Sequence, residues 1–350
     1  MRAKIWFGLG SVLFLAGCAS HQPEIQVLCQ RDGIGNYVIK WEMSPEAEGL
    51  MRLYVSDNPA MVQSLVVGYA PIRDGVMTYV TNDNISRKYF RLSFNETYER
   101  IVAARSLQMD SIQNFRDMGG YLSDRGLSTR WGKVYRSGDI HRLSERDTLR
   151  MNALGIKTII DLRTEQEVSV SPPGYAGAQT VHIPISMNTS EIMSRIREGR
   201  VRKGDGSLFM QDLYLQFIAP DNARAFARAL QLFLDEANYP ILFHCSMGKD
   251  RTGFLAFLLL SALDVPEETI LSDYVATNNF TDLSRYASLV QGLDTDAQEA
   301  MTMILSAHEA FLDPVFRRIK KEYASIGQYL SEEMQFTDKQ KRKLKDILLF

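Results

Sequence analysis

The sequence predicts an α/β protein with a mostly parallel sheet flanked by helices, preceded by a small all-β sandwich. Up to residue 104, short alternating stretches rich in β-branched and aromatic residues are separated by turn residues, which is typical of antiparallel strands. From residue 105 onward, short apolar runs alternate with longer helical patterns, as in sheets that carry helices on both faces. We therefore predict a β-sandwich domain over 18–104 and an α/β domain over 105–350.

Composition limits the possible functions. The chain has 350 residues, a net charge of −2 and 45% hydrophobic residues, which is enough for one large domain or two ordinary ones. Because acidic and basic residues nearly balance, we do not expect general nucleic-acid binding. The five histidines show no metal-ligand spacing, so we expect neither a metal nor another cofactor.

Residues 1–17 resemble a bacterial lipoprotein signal peptide. A positive start precedes Ile5–Ala16, an apolar core too short to span a bilayer comfortably. The sequence Leu-Ala-Gly-Cys then ends at Cys18 and is similar to a lipobox. We expect Cys18 to carry lipid that anchors the protein in the bacterial cell envelope. Because Ala19 is not acidic, the outer membrane or cell surface is expected, with a periplasm-facing position left open; an ordinary cleaved signal peptide or a short anchor is the alternative.

The first domain contains five predicted strands, at 25–28, 37–41, 51–55, 77–80 and 89–94. Trp41 in an early strand and Tyr89 in a late strand resemble features of immunoglobulin or fibronectin type III modules. Cys29 has no evident partner, so we expect no disulfide framework. This domain would hold the following one away from the membrane.

In the second domain, local signals mark the elements. Ser144 is an N-cap candidate for a helix that runs through Leu154, and Gly155 ends it. Further strands are predicted at 158–162, 181–185 and 241–243, with helices over 223–234 and 254–263 and a predominantly helical chain from Pro266. Asp161 lies at the carboxyl end of its strand, where open α/β sheets bind ligands. It is a candidate general acid or loop-orienting carboxylate, and an ion pair with Arg163 is the alternative.

Residues 188–217 are an insertion before the next helix. It carries a basic run of Arg195, Arg197, Arg200, Arg202 and Lys203. Such a run is usually a solvated face, and the alternative is a lid that is basic on one side and attracts polyanionic substrates.

The stretch after the predicted strand 241–243 contains the candidate catalytic and anion-binding residues. It reads His-Cys-Ser-Met-Gly-Lys-Asp-Arg-Thr-Gly from His244 to Gly253. Backbone N–H groups of a tight loop, together with a helix N-terminus, bind anions. The helix dipole and Arg251 both favour a thiolate at Cys245, which predicts a nucleophile. Arg251 can also grip two phosphoryl oxygens at once.

Thr252 is predicted to hydrogen-bond the sulfur of Cys245 and ease its departure. A Walker A loop is excluded because Asp250 follows Lys249, where Ser or Thr is required. A rhodanese-type sulfurtransferase also has an anion loop that begins with Cys, but the Lys-Asp-Arg-Thr-Gly ending of this loop fits that class of enzyme poorly. The predicted phosphate-binding residues are Ser246, Met247, Gly248, Lys249, Asp250 and Arg251.

The segment from His244 to Gly253 resembles the signature loop of the cysteine-dependent phosphatases. Its Gly-Lys-Asp-Arg-Thr-Gly ending is similar to that of bacterial tyrosine and dual-specificity phosphatases, some of which also hydrolyse phosphoinositides. Segments 114–121, 134–138 and 159–163 resemble the start of the same catalytic domain. The resemblance implies a cysteine-phosphatase-like sheet and a phosphocysteine intermediate. The implied substrates are phosphotyrosine and, further, phosphoserine, phosphothreonine or phosphoinositide.

Two other functions stay open. Lys249 in the loop and the basic run would also suit a phosphoinositide or inositol phosphate phosphatase. An inactive surface-binding lipoprotein is the second, and the presence of every loop residue argues against it.

The general acid is also open between Asp250 and Asp161. The resemblance favours Asp250, because the chain shows no clear mobile acid loop and relatives with Lys-Asp-Arg use the loop Asp.

Overall fold

A computed structural model of the chain describes residues 23–60 and 65–350. The predicted signal peptide and Cys18 lie outside these residues. Within them, no helix has the length and apolar character needed to cross a membrane.

Strands and helices follow one another in the order that the sequence predicts, β first and then α/β. The strands are β1 (Glu24–Arg31), β2 (Tyr37–Ser44), β3 (Leu50–Ser56), β4 (Val66–Pro71), β5 (Val76–Tyr79), β6 (Tyr89–Phe94), β7 (Tyr98–Ala103), β8 (Arg116–Asp117), β9 (Val134–Ser137), β10 (Thr158–Asp161), β11 (Gln179–His182) and β12 (Ile241–His244). The helices are α1 (Glu145–Leu154), α2 (Glu165–Val170), α3 (Ser190–Arg197), α4 (Asp205–Leu215), α5 (Pro220–Leu232), α6 (Asp250–Ala262), α7 (Glu267–Val275), α8 (Thr277–Phe280), α9 (Ala287–Val290), α10 (Thr295–Leu305), α11 (Asp313–Tyr323), α12 (Ile326–Glu332) and α13 (Asp338–Leu348).

The first seven strands form two antiparallel sheets, with the orders β1-β2-β5 and β4-β3-β6-β7. Alternation buries Tyr37, Ile39 and Trp41 of β2, which join Phe90 and Leu92 of β6 in one apolar cluster. The two sheets therefore share a core. The likeness to an immunoglobulin or fibronectin type III module stays a prediction.

Two strands of these sheets, β4 and β7, were not expected from the sequence. β4 contains Gly68 and ends on Pro71, two residues that weaken a strand pattern, and five of its six residues are exposed or only partly buried. β7 carries adjacent charged residues in its first half. Both lie at the outer edges of their sheet.

The second part of the chain is built on a five-stranded sheet with the order β11-β10-β12-β9-β8. The first four strands are parallel, and β8 runs antiparallel to β9. Parallel pairing aligns Asp161, His244 and Ser137 across three strands at the carboxyl edge of the sheet. β11 lies earlier than the predicted 181–185, because Pro184 cannot donate to a neighbouring strand.

Helix α1 begins after Ser144, whose hydroxyl accepts the Asp147 N–H, and ends at Gly155 in the left-handed conformation, as predicted. Helix α6 begins at Asp250, earlier than the predicted Phe254. Asp250 and Arg251 thus form its first turn, where a carboxylate is favourable to the helix dipole.

The insertion 188–217 contains α3 and α4. Ile192 and Ile196 of α3 pack against Ala300 and Met301 of α10, and Met247 packs against the same cluster. The insertion and α10 together therefore lie against the loop that follows β12. The basic run is solvent-facing and partly ion-paired, since Arg195 bonds Asp205 at 2.5 Å and Arg200 pairs with Glu198.

One side chain joins the N-terminal sheets to the central sheet. Arg87, which precedes β6, pairs with Asp117 of β8 and donates to the Ala104 carbonyl at 2.9 Å. Its guanidinium also lies over the rings of Trp131 and Tyr135. Both charged side chains are buried, at 6% and 0% exposure.

Candidate active site

Gly248 lets the loop between β12 and α6 close tightly. Its φ of +69° lies in the left-handed region, and a Cβ there would meet the Ser137 carbonyl oxygen at 2.4 Å. That oxygen belongs to the backbone of β9, so it cannot swing aside as a side chain can. Only glycine fits this position without displacing the strand.

The carbonyl groups of the loop bond to surrounding residues. The Gly248 oxygen accepts hydrogen bonds from Asn114 Nδ2 and Arg136 Nη2, both at 2.8 Å. The Ser246 oxygen accepts the N–H of Asp139 at 2.9 Å. In the part of the chain that the structure describes, the N–H groups of 246–249 donate to no other group. Free N–H groups at a helix N-terminus form an anion site.

Arg251 is held from one side by Glu167. Its Nη1 and Nη2 donate to the two carboxylate oxygens at 2.6 and 2.7 Å, and the Ser246 hydroxyl donates to the same carboxylate. The Nε of Arg251 is buried and finds no partner among residues 23–60 and 65–350. Since a buried N–H without an acceptor is costly, this donor is available to an anion in the loop.

The charges of this pair are strongly coupled. Burial alone would raise the pKa of Glu167, but the hydrogen bonds and charge of Arg251 hold it well below its usual range. Burial likewise lowers the pKa of Arg251, and Glu167 and the charge of Cys245 together raise it above its ordinary value.

Cys245 directly follows β12 and is 2% exposed. The Thr252 hydroxyl, predicted to bond its sulfur, is buried and has no hydrogen-bond partner in the described part of the chain. The predicted Thr252–Cys245 hydrogen bond is thus not formed in this structure.

A buried carboxylate supports the loop from behind. Asp273 of α7 accepts Arg136 Nη1 at 2.6 Å, Arg116 Nε at 3.1 Å and the Tyr121 hydroxyl at 2.7 Å. Burial would raise the pKa of Asp273, but the two guanidinium groups lower it far below its ordinary value. Because Arg136 also holds the Gly248 carbonyl, Asp273 fixes the loop through one intermediate side chain.

Asp161 forms an ion pair with Arg163, two residues further along the chain. Arg163 Nε lies 3.0 and 3.1 Å from its two oxygens, and Arg163 Nη2 lies 2.7 Å from Oδ2. Burial would raise the pKa of Asp161, but the hydrogen bonds from Arg163 lower it. His244 Nε2 is 3.8 Å away, and burial lowers the pKa of this imidazole. The geometry is that of the alternative interpretation, an ion pair between Asp161 and Arg163.

Asp250 is placed differently. Its side chain is 14% exposed, and its Oδ1 accepts the Tyr214 hydroxyl at 2.7 Å. The loop and the first turn of α6 bring it beside Arg251. Of the two candidate acids, Asp250 is the one with an oxygen that is not bound by a guanidinium.

Lys249 does not direct its ammonium group into the loop. Its Nζ donates to the carbonyls of Ile304 and Ser306, the latter at 3.0 Å, and lies 3.3 Å from Asp250 Oδ1. The side chain is fully buried. The interpretation of Lys249 as a second cation for the phosphate is therefore wrong for its side chain, since the carbonyls at the end of α10 hold it.

Sequence reasoning missed several residues of the site. Glu167 had a readable signal, because Thr164-x-x-Glu167 is a capping box and the structure forms both of its hydrogen bonds. Asp273 and Tyr214 support the loop from distant parts of the chain, and no local pattern marks them. Asn114 begins the segment 114–121 that carries the resemblance, but its bond to the loop was not predicted. Within the described residues, no group of His, Cys, Asp and Glu is arranged to hold a metal ion.

Comparison with known proteins gives one family. The model of the tyrosine phosphatase family matches residues 107–350. A Cupriavidus necator protein named as a tyrosine-protein phosphatase is 34% identical over 248 residues, which cover 67% of this chain and 86% of the relative. The triple specificity protein phosphatase PtpB of Mycobacterium tuberculosis is 29% identical over 255 residues, which cover 63% of this chain and 90% of PtpB.

Among solved structures, the core catalytic domain of the Saccharomyces cerevisiae PP-IP phosphatase Siw14 is similar over 50% of this chain and 92% of its own length. The two share 17% sequence identity with a TM-score of 0.27. The family match covers most of this chain and contains the whole loop from His244 to Gly253. The chain is therefore a phosphoric monoester hydrolase that belongs to the tyrosine phosphatase family.

Proposed function

We propose that this enzyme hydrolyses phosphotyrosine monoesters through a phosphocysteine intermediate. The observation that carries the proposal is the buried Nε of Arg251, which has no partner in the described part of the chain and belongs to the first turn of α6, directly after the loop that begins at Cys245. A phosphoryl group bound by the N–H groups of 246–249 would satisfy this donor.

The proposed reaction has two displacements. The thiolate of Cys245 attacks phosphorus, the phosphorus–oxygen ester bond breaks, and Asp250 gives its proton to the leaving tyrosyl oxygen. Water then attacks the phosphocysteine, Asp250 takes a proton from it, and the phosphorus–sulfur bond breaks to release inorganic phosphate and the thiolate. Arg251 and the loop N–H groups stabilise the charge on the equatorial oxygens in both steps.

The test compares Cys245→Ser with the wild-type protein. Serine stays protonated, so we expect turnover of phosphotyrosine peptide and p-nitrophenyl phosphate to be abolished while vanadate or phosphate still binds in isothermal titration. Activity of the wild type in EDTA is expected to be unchanged. A Cys245→Ser protein that retains near-wild-type turnover would refute the nucleophile, and a wild type inactive on both substrates would favour the surface-binding lipoprotein instead.

Substrate breadth is part of the proposal. The relative from Mycobacterium tuberculosis is named a triple specificity phosphatase, which supports phosphoserine and phosphothreonine peptides as further substrates. A phosphoinositide is less well supported, because Lys249 and Arg195 are bound by groups of the protein itself. A panel of phosphopeptides and phosphoinositide vesicles separates the cases, and a preference for the vesicles would make the lipid activity the main one.

We further propose that Cys18 carries the lipid anchor and that a β-sandwich domain over 18–104 holds the phosphatase off the membrane. The motivation is the Leu-Ala-Gly-Cys sequence that follows the apolar core. The Cys18→Ala protein is expected to leave the membrane fraction of the producing bacterium, with the outer membrane or the cell surface as the wild-type location. Unchanged membrane attachment of the variant would contradict the anchor.

A further inference from the structure

We infer that Tyr214 is a positioning residue that orients the carboxyl group of Asp250 and determines which of its oxygens carries the catalytic proton. The inference rests on the proposed role of Asp250 as general acid. Tyr214 lies on α4, within the insertion before the α5 helix, and its hydroxyl is 2.7 Å from Asp250 Oδ1.

The direction of the hydrogen bonds follows from the groups that surround Asp250. The Tyr214 hydroxyl is 2.6 Å from that of Tyr274 on α7. Lys249 and Arg251 are charged neighbours of Asp250. Burial raises the pKa of both tyrosines well above the ordinary value, and the Asp250 charge raises them further, so both keep their protons. Tyr274 then donates to Tyr214, and Tyr214 donates to Oδ1 of Asp250.

This arrangement selects one oxygen of the carboxyl group. Because Oδ1 accepts from Tyr214 and lies 3.3 Å from Lys249 Nζ, a proton on Asp250 is placed on Oδ2. The carboxyl group keeps an accessible edge, with 14% of the side chain exposed. A general acid must present its proton to the leaving oxygen at hydrogen-bond distance, which a freely rotating carboxyl group does only part of the time.

Packing does not require the hydroxyl of Tyr214. Its ring contacts the rings of Phe217, Tyr274 and Phe311 at centroid distances of 5.1, 6.0 and 6.1 Å. A phenylalanine would keep these contacts. The hydroxyl is therefore the part of the side chain that serves Asp250.

The experiment measures Tyr214→Phe against two substrates over a pH range. We expect kcat for a phosphotyrosine peptide to fall by about tenfold, the effect of losing one hydrogen bond to a charged group. Turnover of p-nitrophenyl phosphate should fall much less, because its leaving group departs without a proton.

Two further variants separate positioning from general damage. Tyr329→Phe removes another buried hydroxyl, one without a partner in the described chain, and should leave both activities and the pH profile unchanged. In an Asp250→Asn background, Tyr214→Phe should have no additional effect on phosphotyrosine turnover. Vanadate binding and the melting temperature of Tyr214→Phe report whether the loop and the fold survive. Tyr274→Phe removes the hydroxyl that donates to Tyr214 and is a second, smaller perturbation of the same series of hydrogen bonds.

The outcomes are distinguishable. A leaving-group effect in Asp250→Asn but none in Tyr214→Phe and Tyr274→Phe overturns this inference and leaves the proposed function intact. Equal losses for both substrates in Tyr214→Phe also overturn it. A wild type without activity on either substrate overturns the proposed function and this inference together.

Discussion

At the scale of single residues, Arg251 divides its donors between the protein and the anion site. Glu167 takes one N–H from each terminal nitrogen, which fixes the plane of the guanidinium. Nε remains without a partner among the described residues and is left for the ligand. A guanidinium oriented in advance loses little conformational freedom when the ligand binds, which a lysine could not reproduce.

This division predicts the effect of Glu167→Gln. Glutamine retains the capping box with Thr164 but loses the charge that pairs with Arg251. A hydrogen bond to a charged group contributes about 1.5–3 kcal/mol, so kcat/KM for phosphotyrosine should fall roughly ten- to a hundredfold while the melting temperature changes little.

The control is Glu165→Gln on the same helix. The Glu165 side chain is 82% exposed, and its partner His182 is 3.5 Å away, so this variant should retain wild-type kinetics. If both variants behave alike, the Glu167–Arg251 pair has no part in catalysis.

At the scale of elements, α7 connects the two strands at the edge of the sheet to the loop. Asp273 is 1% exposed and neutralises only one of the two guanidinium groups, from β8 and β9, that it holds. The Arg116 pKa is accordingly lowered, by burial and by Arg136. The cluster keeps a positive charge directly behind the loop between β12 and α6.

Asp273→Asn is expected to lower the free energy of unfolding by about 3–5 kcal/mol at pH 7, because two buried guanidinium groups lose their counter-charge. The folded-state pKa of Asp273 is depressed from its ordinary 3.8, so its stabilising effect is complete above that value and is lost as pH falls through the folded pKa. Urea unfolding of both proteins from pH 7 to pH 3 should therefore show a difference that shrinks below pH 4. A difference that stays constant or grows with acid would contradict the ion-pair account.

Elements whose signals are local were predicted well. Helix α1 has its cap residues at both ends, and β12 is an apolar run fixed between Pro240 and the signature loop. The loop itself was readable because its chemistry lies in consecutive residues. Its supports were not, since Asp273 and Tyr214 lie 22 and more residues from Arg251 in sequence. The packing of α7 and α4 brings them to Arg136 and Asp250, which they bond. The wrong interpretation of Lys249 has the same origin, because the carbonyls that bind it belong to α10.

At the scale of the whole molecule, the family match begins at residue 107, yet a side chain from the preceding sheets completes the buried structure beside β8. Asp117 accepts the N–H groups of Gly119 and Gly132 at 2.6 and 2.7 Å in addition to Arg87. Since Asp117 directly follows Arg116, the N-terminal sheets are connected to the support of the loop.

Arg87→Met should therefore destabilise the phosphatase part as well as the sheets. We expect a loss of about 3–5 kcal/mol in the free energy of unfolding, because Asp117 stays buried without its cation. Arg52→Met is the matched control, since the pair of Arg52 with Glu96 lies on the surface of the same sheets, with side chains 37% and 67% exposed, and should cost at most about 1 kcal/mol. Equal effects of the two substitutions, measured by chemical denaturation, would show that the connection is dispensable.

The hydrogen bonds between Lys249 and the carbonyls at the end of α10 have a consequence for biosynthesis. A ribosome that has translated the signature through Gly253 has yet to add Asp273, and then the carbonyls of Ile304 and Ser306 that receive the lysine. Residues 348–350 are still later, and they exchange backbone hydrogen bonds with Ser128 and Arg130. A nascent chain can thus carry every residue from His244 to Gly253 without an assembled site, so we expect no phosphatase activity until residues 348–350 have been added.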